Sequence, residues 1–429
     1  MALPRSLMFP GLKPEAVKAE VIQYAVPVAP GSGTTVPAGG AWSHNIPASQ
    51  KNFFLDPSGT YLRFKVTPST TGGTTPTVAA LGHDFIKSLT LCSSEGQQQQ
   101  EVINDYAPLY TALRDLCSEP GARMSKDSIT LNSDVARQRA PAVISTTTGF
   151  EFCIPLLSSI GLLSGLDRMI PVCALSAPLR LDIVLNSANR ALAATGAPTT
   201  VDYTVSGISL NVTYVRLTDG AMSRINEMTR GVYQWSTSLW KDSAQTHPAN
   251  QSTNSMQLTS SKCNYAKTLI AVQRLSNTLE NSAFYSNIDR QKNYLSSYQW
   301  KIGSTVLNQK PVDTTNMGVE AFMQAQRAFS CPTDEDRATL LDATSWIKQG
   351  ATTPSGSANP GSFVICQELQ SYPNQSGMSD GQNTWANQPT IDLVYDSAQL
   401  ANVGQVLWSF YTECDAVSTV ANGQYTIVA

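Results

Sequence analysis

The chain has 429 residues and a formal net charge of −3, with 41% hydrophobic and only 14% charged residues, against about 25% charged in ordinary soluble domains. That length points to two domains of roughly 200 residues, and the sparse, scattered Lys and Arg exclude a protein that neutralises nucleic-acid phosphates directly. No apolar run approaches the roughly 18 residues of a membrane span. The opening MALPRSLMFPGLKPEA is broken by Pro4, Pro10 and Pro14 and holds no signal-peptide core, so synthesis inside the cell without signal-directed secretion is expected. Ser, Thr, Asn, Gln and Gly replace the missing charge. Such a surface suits turn-rich β-sandwiches and faces that pack against copies of themselves, where each buried charge would cost desolvation.

In chain order, residues 1–45 hold Pro, Gly and Ala clusters (VPVAPGSGTTVPAGGA) with little periodicity and are expected to form an extended N-terminal arm. Period-2 segments follow. Leu62, Phe64 and Val66 alternate with Arg63 and Lys65; Ile208, Leu210, Val212 and Tyr214 alternate with Ser209, Asn211 and Thr213. Tyr298, Trp300 and Ile302 alternate with Gln299 and Lys301, and Val406, Trp408, Phe410 and Cys414 share one face. One face in a core and one in solvent is the pattern of antiparallel sandwich strands. Two helices interrupt it. In QQQEVINDYAPLYTALRDLC, Val102, Tyr106, Leu109, Leu113 and Leu116 form an apolar stripe, with Pro108 placed to kink it and Gln100, Asp105 and Arg114 on the outer side. In MGVEAFMQAQRAF, Phe322, Ala325 and Phe329 share a face. A third helix is expected to start at Thr333 with Asp336 completing a capping box, and a linking helix to run from about Asp219 to Met228.

The two halves repeat in order. FIKSLTL and then a helix ending near Cys117 in the first half match YQWKIGSTVL and then a helix ending near Phe329 in the second. From Cys117 to Phe150 is 33 positions and from Phe329 to Phe363 is 34. FEFCIP at 150 then matches FVICQE at 363, an offset of 213, and LDIVLN at 181 matches IDLVYD at 391, an offset of 210. Each half closes on an alternating strand, NVTYVRL or VLWSFYTEC. Five elements in one order at nearly constant offset indicate tandem duplication of one sandwich.

Two segments carry a family resemblance: GQQQQEVINDYAPLYTALRDL at 96–116 and SYQWKIGSTVLNQKPVDTTNMGVEAFMQAQRAF at 297–329. With the duplicated order, they resemble the double jelly-roll major capsid proteins of tailless icosahedral DNA viruses, the lineage of polinton-like viruses, virophages and adenoviruses. The resemblance implies a mainly β chain of two tandem jelly-roll sandwiches, each with one sizeable helix in a loop. Its divisions would be an arm at 1–45, a first jelly roll at 46–217, a linker at 218–229 and a second jelly roll at 230–429. It further implies a homotrimer acting as a pseudo-hexameric capsomer in the virion, meeting neighbouring capsomers, penton and minor capsid proteins. No direct nucleic-acid binding is expected, and the shell is compatible with an internal membrane beneath it. Loops at about 118–149 and 330–362 would form an outward crown, and the arm would run along the inner face.

Catalytic chemistry needs a constellation, and none is found. The three His residues, His44, His83 and His247, stand in no H-x-H or H-E-x-x-H spacing. His83-Asp84 is an acid–base neighbour pair, read more simply as a turn or edge position. Asp334-Glu335-Asp336 suits a hard cation, and more simply a helix N-terminus. Asp182 and Asp392 occupy equivalent places in the two repeats and read as solvent-face strand residues. G-x-S-x-G is absent. The eight Cys residues, at 92, 117, 153, 173, 263, 331, 366 and 414, form no C-x-x-C and read as reduced, mostly buried small apolar residues. Sequons at Asn211, Asn250 and Asn374 lack a secretory context. The chain is therefore expected not to be an enzyme, with no catalytic, cofactor-binding or metal residues and no cofactor. The alternative is a carbohydrate- or receptor-binding two-domain β-sandwich protein, for which Trp235 and Trp240 would offer stacking surfaces.

Overall fold

Leu62, Phe64 and Val66 are fully buried while Arg63 and Lys65 face solvent, and this alternation builds most of the molecule. The computed structural model of the chain describes residues 18–31, 33–73, 78–93, 96–117, 143–161, 163, 168–196, 198–315, 317–329, 341, 343–349, 360–372 and 379–429. Residues 1–17, most of the two predicted crown loops, Thr333, Asp334-Glu335-Asp336, Cys331 and Asn374 lie outside the described residues.

The first half contributes eight principal strands: β1 (Ala19–Pro27), β2 (Ala41–Ile46), β3 (Phe53–Thr71), β4 (Ile86–Ser93), β5 (Gln98–Ile103), β6 (Phe150–Pro155), β7 (Leu179–Leu185) and β8 (Thr200–Leu217). They pair antiparallel in two sheets, ordered β1-β8-β3-β6 and β2-β7-β4-β5. The second half contributes β9 (Tyr233–His247), β10 (Thr253–Gln257), β11 (Tyr265–Leu275), β12 (Leu295–Ile302), β13 (Thr305–Val306), β14 (Ile365–Glu368), β15 (Pro389–Tyr395) and β16 (Val406–Ala421). Their sheets run β9-β16-β11-β14 and β10-β15-β12-β13. Adding eight to each label of the first sandwich reproduces the second, so the duplication read from the sequence is a duplication of topology. Two packed four-stranded antiparallel sheets in this order make each half a jelly roll. Leu181 and Ile391 lie on corresponding strands β7 and β15, and Phe150 opens β6 as Phe363 leads into β14.

Each sandwich carries its helix at the same point in the order. Helix α1 (Tyr106–Cys117) lies between β5 and β6, and α3 (Val319–Arg327) lies between β13 and β14; α2 (Asp219–Thr229) joins the halves and buries none of its residues. The chain enters β6 through Gly149 at φ +67°, where a Cβ would stand 2.4 Å from the Val66 carbonyl oxygen. Only glycine fits that approach.

Three expectations are corrected. The described part of the expected arm, residues 18–31 and 33–45, does not stand apart from the core, because β1 pairs with Ser209–Leu217 of β8, Thr35–Pro37 pairs with Thr204–Ser206, and Val26, Val36 and Trp42 are buried. The Pro and Gly clusters there make short turns between short strands, and β1 is an edge strand exposed at every position but Val26, so no alternation marks it. Gln98–Ile103, expected in the first helix, is strand β5, with Ile103 opposite Leu89. Pro108 explains the boundary: its ring would clash with the carbonyl of residue 104 in a longer helix, whereas in the first turn of α1 it is tolerated. Arg114 is buried where solvent was expected, and Leu113 is only partly buried; the buried apolar face is Tyr106, Leu109, Ala112 and Leu116. The reason is that α1 is covered on two sides, by its own sandwich and by the second half of the chain.

Candidate functional site at the seam between the sandwiches

The second cover over α1 is a polar seam built from the β5–α1 turn, α1 and the 186–194 segment on one side. The facing side is β9, β11, the 280–290 loop and β16. Arg274 on β11 is fully buried and pairs with Asp105 in the turn before α1. The Arg274 guanidinium also donates to Ser409 Oγ at 3.0 Å, Ser409 Oγ donates to Asp105 Oδ2 at 2.5 Å, and Tyr411 OH donates to the Asp105 carbonyl at 2.9 Å. Arg290 pairs with Asp115 of α1, and both side chains are excluded from solvent. Asp242 accepts from the Asn104 backbone N–H at 3.1 Å, and Gln100 Oε1 accepts from the Ile427 N–H at 2.8 Å. At the rim, Arg190 pairs with Glu280 at 2.7 Å, and the Ala194 N–H donates to the Ser282 carbonyl at 2.6 Å. Gln100 and Asp105, expected on an open helix face, thus bridge to the second sandwich.

His83 and Asp84 sit in a buried turn, Gly82–Phe85, at the first sandwich's side of this seam. The His83 ring is stacked 3.3 Å from Tyr110 and 5.9 Å from Tyr106. Asp84 Oδ2 accepts from the Leu81 N–H at 3.0 Å, and the Asn287 amide reaches the Asp84 carbonyl at 3.4 Å. Both residues are structural parts of a sealed junction with no open face for a substrate. Burial pushes the Asp84 carboxyl up to about 7, against the opposing effects of the Leu81 hydrogen bond and of Arg114. An acid raised in the fold contributes stability at low pH and loses it as pH rises through its folded value. His83 acts in the opposite sense: burial, then Arg114, hold its imidazole well below the usual value, so its contribution is lost as pH falls. Asp84→Asn should therefore gain melting temperature relative to the parent chain as pH is raised from about 5 to about 8. Thermal scans at both ends check this, and a difference that does not change with pH would contradict it.

The remaining candidates have structural partners. Asp182 on β7 pairs with Arg180 at 2.7 Å; Asp392 on β15 pairs with Lys301 and accepts from Ser255 Oγ at 2.7 Å. Each is a half-exposed strand residue held by a cation of its own sheet. Trp235 and Trp240 on β9 are buried, and Trp235 stacks on Tyr425 with centroids 6.0 Å apart. Neither offers a face to a sugar ring. Among the described residues no group of three or more His, Cys, Asp or Glu gathers as metal ligands, and no helix is long and apolar enough to cross a membrane. A depression of about 490 Å³ between the start of β1 and α2 is lined by Lys18, Glu20, Arg216 and Asp219, charges of both signs. Exposed apolar side chains mark edges instead: Val21, Ile22 and Tyr24 on β1, and Val319 and Met323 on α3.

No protein-family model matches the chain, and no curated protein matches it in sequence. Solved structures do match over nearly the whole length. PBCV-1 VP54 is similar at TM-score 0.62 and 13% identity, covering 98% of this chain and 99% of that one. The Faustovirus major capsid protein is similar at TM-score 0.60 and 9% identity, covering 97% and 92%. A chain of the Sputnik virophage structure is similar at TM-score 0.57 and 12% identity, covering 100% and 92%. These are double jelly-roll capsid proteins, and the fold of this chain is the double jelly roll.

Proposed function

We propose that the chain is the major capsid subunit of a tailless icosahedral virus, a structural protein of the virion. The observation that carries this is the strand-for-strand repeat of one eight-strand order across two sandwiches locked by a buried seam. Two like units held rigidly in one chain let three chains present six like units, so a trimer can occupy a site of local six-fold symmetry. The scarcity of charge supports the same reading, since surfaces with few ions are easily desolvated against copies of themselves. In this role the chain trimerises into pseudo-hexameric capsomers and meets neighbouring capsomers, penton and minor capsid proteins through its outer edges. The domain division that fits it assigns strands 19–217 to one unit and 233–428 to the other, with α2 as the link. The buried positions of Trp235 and Trp240 remove the feature that favoured carbohydrate binding.

Light scattering after size exclusion tests the proposal. Three copies of 46.2 kDa make a particle of about 139 kDa, expected at micromolar concentration, and six-lobed capsomers are expected in negative stain. A monomer that stays single at every concentration would overturn it.

A further inference from the structure

The seam joins two kinds of surface. One is a helix surface: α1, the turn before it, and the 186–194 segment after the seventh strand of its sandwich. The other is a strand surface, whose outward side chains are Ser409 and Tyr411 at the start of β16 and Arg274 at the end of β11. Because the sandwiches repeat strand for strand, each surface occurs once per sandwich, and the seam takes one of each. The other two face solvent. Helix α3 turns Ala321 and Ala325 inward, whereas Val319 and Met323, one helical turn apart, are 67% and 53% exposed. Met317, in the turn before α3, is exposed too, and the Ser397–Asn402 turn after β15 buries none of its residues. On the first sandwich, the start of β8 turns Tyr203 and Val205 to the core and Thr204 and Ser206 outward. Beside them, Ser69 and Thr71 at the end of β3 are exposed, as are Thr35 and Pro37 of the short strand paired with Thr204–Ser206.

We propose that these two open surfaces join one copy of the chain to the next: α3 and the turn before it seat on the outward ends of β3 and β8 of a neighbouring copy, as α1 seats on β11 and β16 within one chain. The inference rests on the capsid-subunit reading and names the contact through which its copies meet. Within a chain the seam fixes the placement of the two sandwiches, so the remaining helix surface and the remaining strand surface find their partners on other copies. A contact of helix surface on strand surface is heterologous; it runs in one direction and closes as a ring. Its chemistry differs from that of the seam. Where the turn before α1 carries Asp105, the turn before α3 carries Met317 and Gly318. Where β11 carries Arg274 next to its end, the outward positions at the end of β3 are Ser69 and Thr71. The contact within the chain is therefore locked by ions, while the contact between copies sets Met and Val against Thr, Ser and Pro, with Asp202 of β8 beside it. Uncharged side chains are desolvated at little cost when separately folded subunits meet. Methionine adapts to a surface against which it did not fold.

Light scattering over a dilution series of the purified full chain tests this. Met323→Glu on the helix surface and Thr204→Arg on the strand surface should each raise the concentration at which half the chains are trimeric by at least about tenfold, since either puts a charge into every contact of the ring. Both side chains are exposed in the subunit, so each variant should keep the parent's circular dichroism spectrum. Val319→Glu and Thr35→Arg replace a variant that does not fold. Val21→Glu is the control: it is exposed on β1 beside Val215, near the other end of β8, and should leave the midpoint unchanged. Parent trimers that persist in both Met323→Glu and Thr204→Arg would overturn the contact and leave the capsid-subunit reading standing. Loss of trimers in only one of the two would mean that a surface meets something other than its proposed partner, and loss in Val21→Glu would move the contact to the β1 edge; either overturns it. A parent chain that never trimerises would overturn both the contact and the reading.

Discussion

Asp115→Ala should lower the stability of the chain by about 3–5 kcal/mol, because it withdraws the carboxylate from a guanidinium that is itself sealed from water. For sandwiches of about 200 residues that is a fall of roughly 10 °C in melting temperature. Most of the loss would come from leaving the charge of Arg290 buried, and less from the attraction itself. Replacing both partners at once, Asp115→Leu with Arg290→Met, should restore most of the loss, since a well-packed apolar pair removes the desolvation penalty along with the attraction. Thermal melting of the single and double variants measures this. If the double variant is as unstable as the single one, the pair is not what holds the seam. The solvent-exposed pair Arg63–Glu151 provides the contrast, and its removal should barely move the melting temperature.

The second large effect lies one face away on the same helix. Leu109 is fully buried, and Leu109→Ala should cost about 2–5 kcal/mol through lost burial and the cavity it leaves. Leu113, only partly buried beside the core, should cost less when truncated in the same way. Denaturant or thermal unfolding of the two variants ranks them. If Leu113→Ala proved the worse, the helix would be rotated from its described setting, with the core facing the stripe expected from sequence spacing alone.

That ranking marks where spacing stops being informative. The long alternating strands were legible because half of each faces a core made by its own sandwich, as in Leu62, Phe64 and Val66. The duplicated order was legible because corresponding strands kept both their length and their apolar period. Strand β5 was not, since Val102, Tyr106 and Leu109 fall by chance at three- and four-residue spacing across a strand end and a helix start. Strand β1 was not, because an edge strand exposed at every position but Val26 carries no period. The seam was least legible. Asp105 and Arg274 are 169 residues apart and Asp115 and Arg290 are 175, and a charged residue in isolation reads as a surface residue. Arg114 reads as a solvent residue for that reason, and the same reasoning misses every ion-pair partner at the junction.

Both buried pairs run in one direction: the carboxylates, Asp105 and Asp115, belong to the first sandwich, and the guanidinium groups, Arg274 and Arg290, belong to the second. At the buried centre of this surface, two first sandwiches set face to face would bring acid against acid and two second sandwiches cation against cation, while the rim pair Arg190–Glu280 runs the other way. The halves share an ancestral plan yet recognise each other as opposites. Like has become lock and key within one polypeptide, and the polarity of the two buried pairs disfavours a pairing of identical halves.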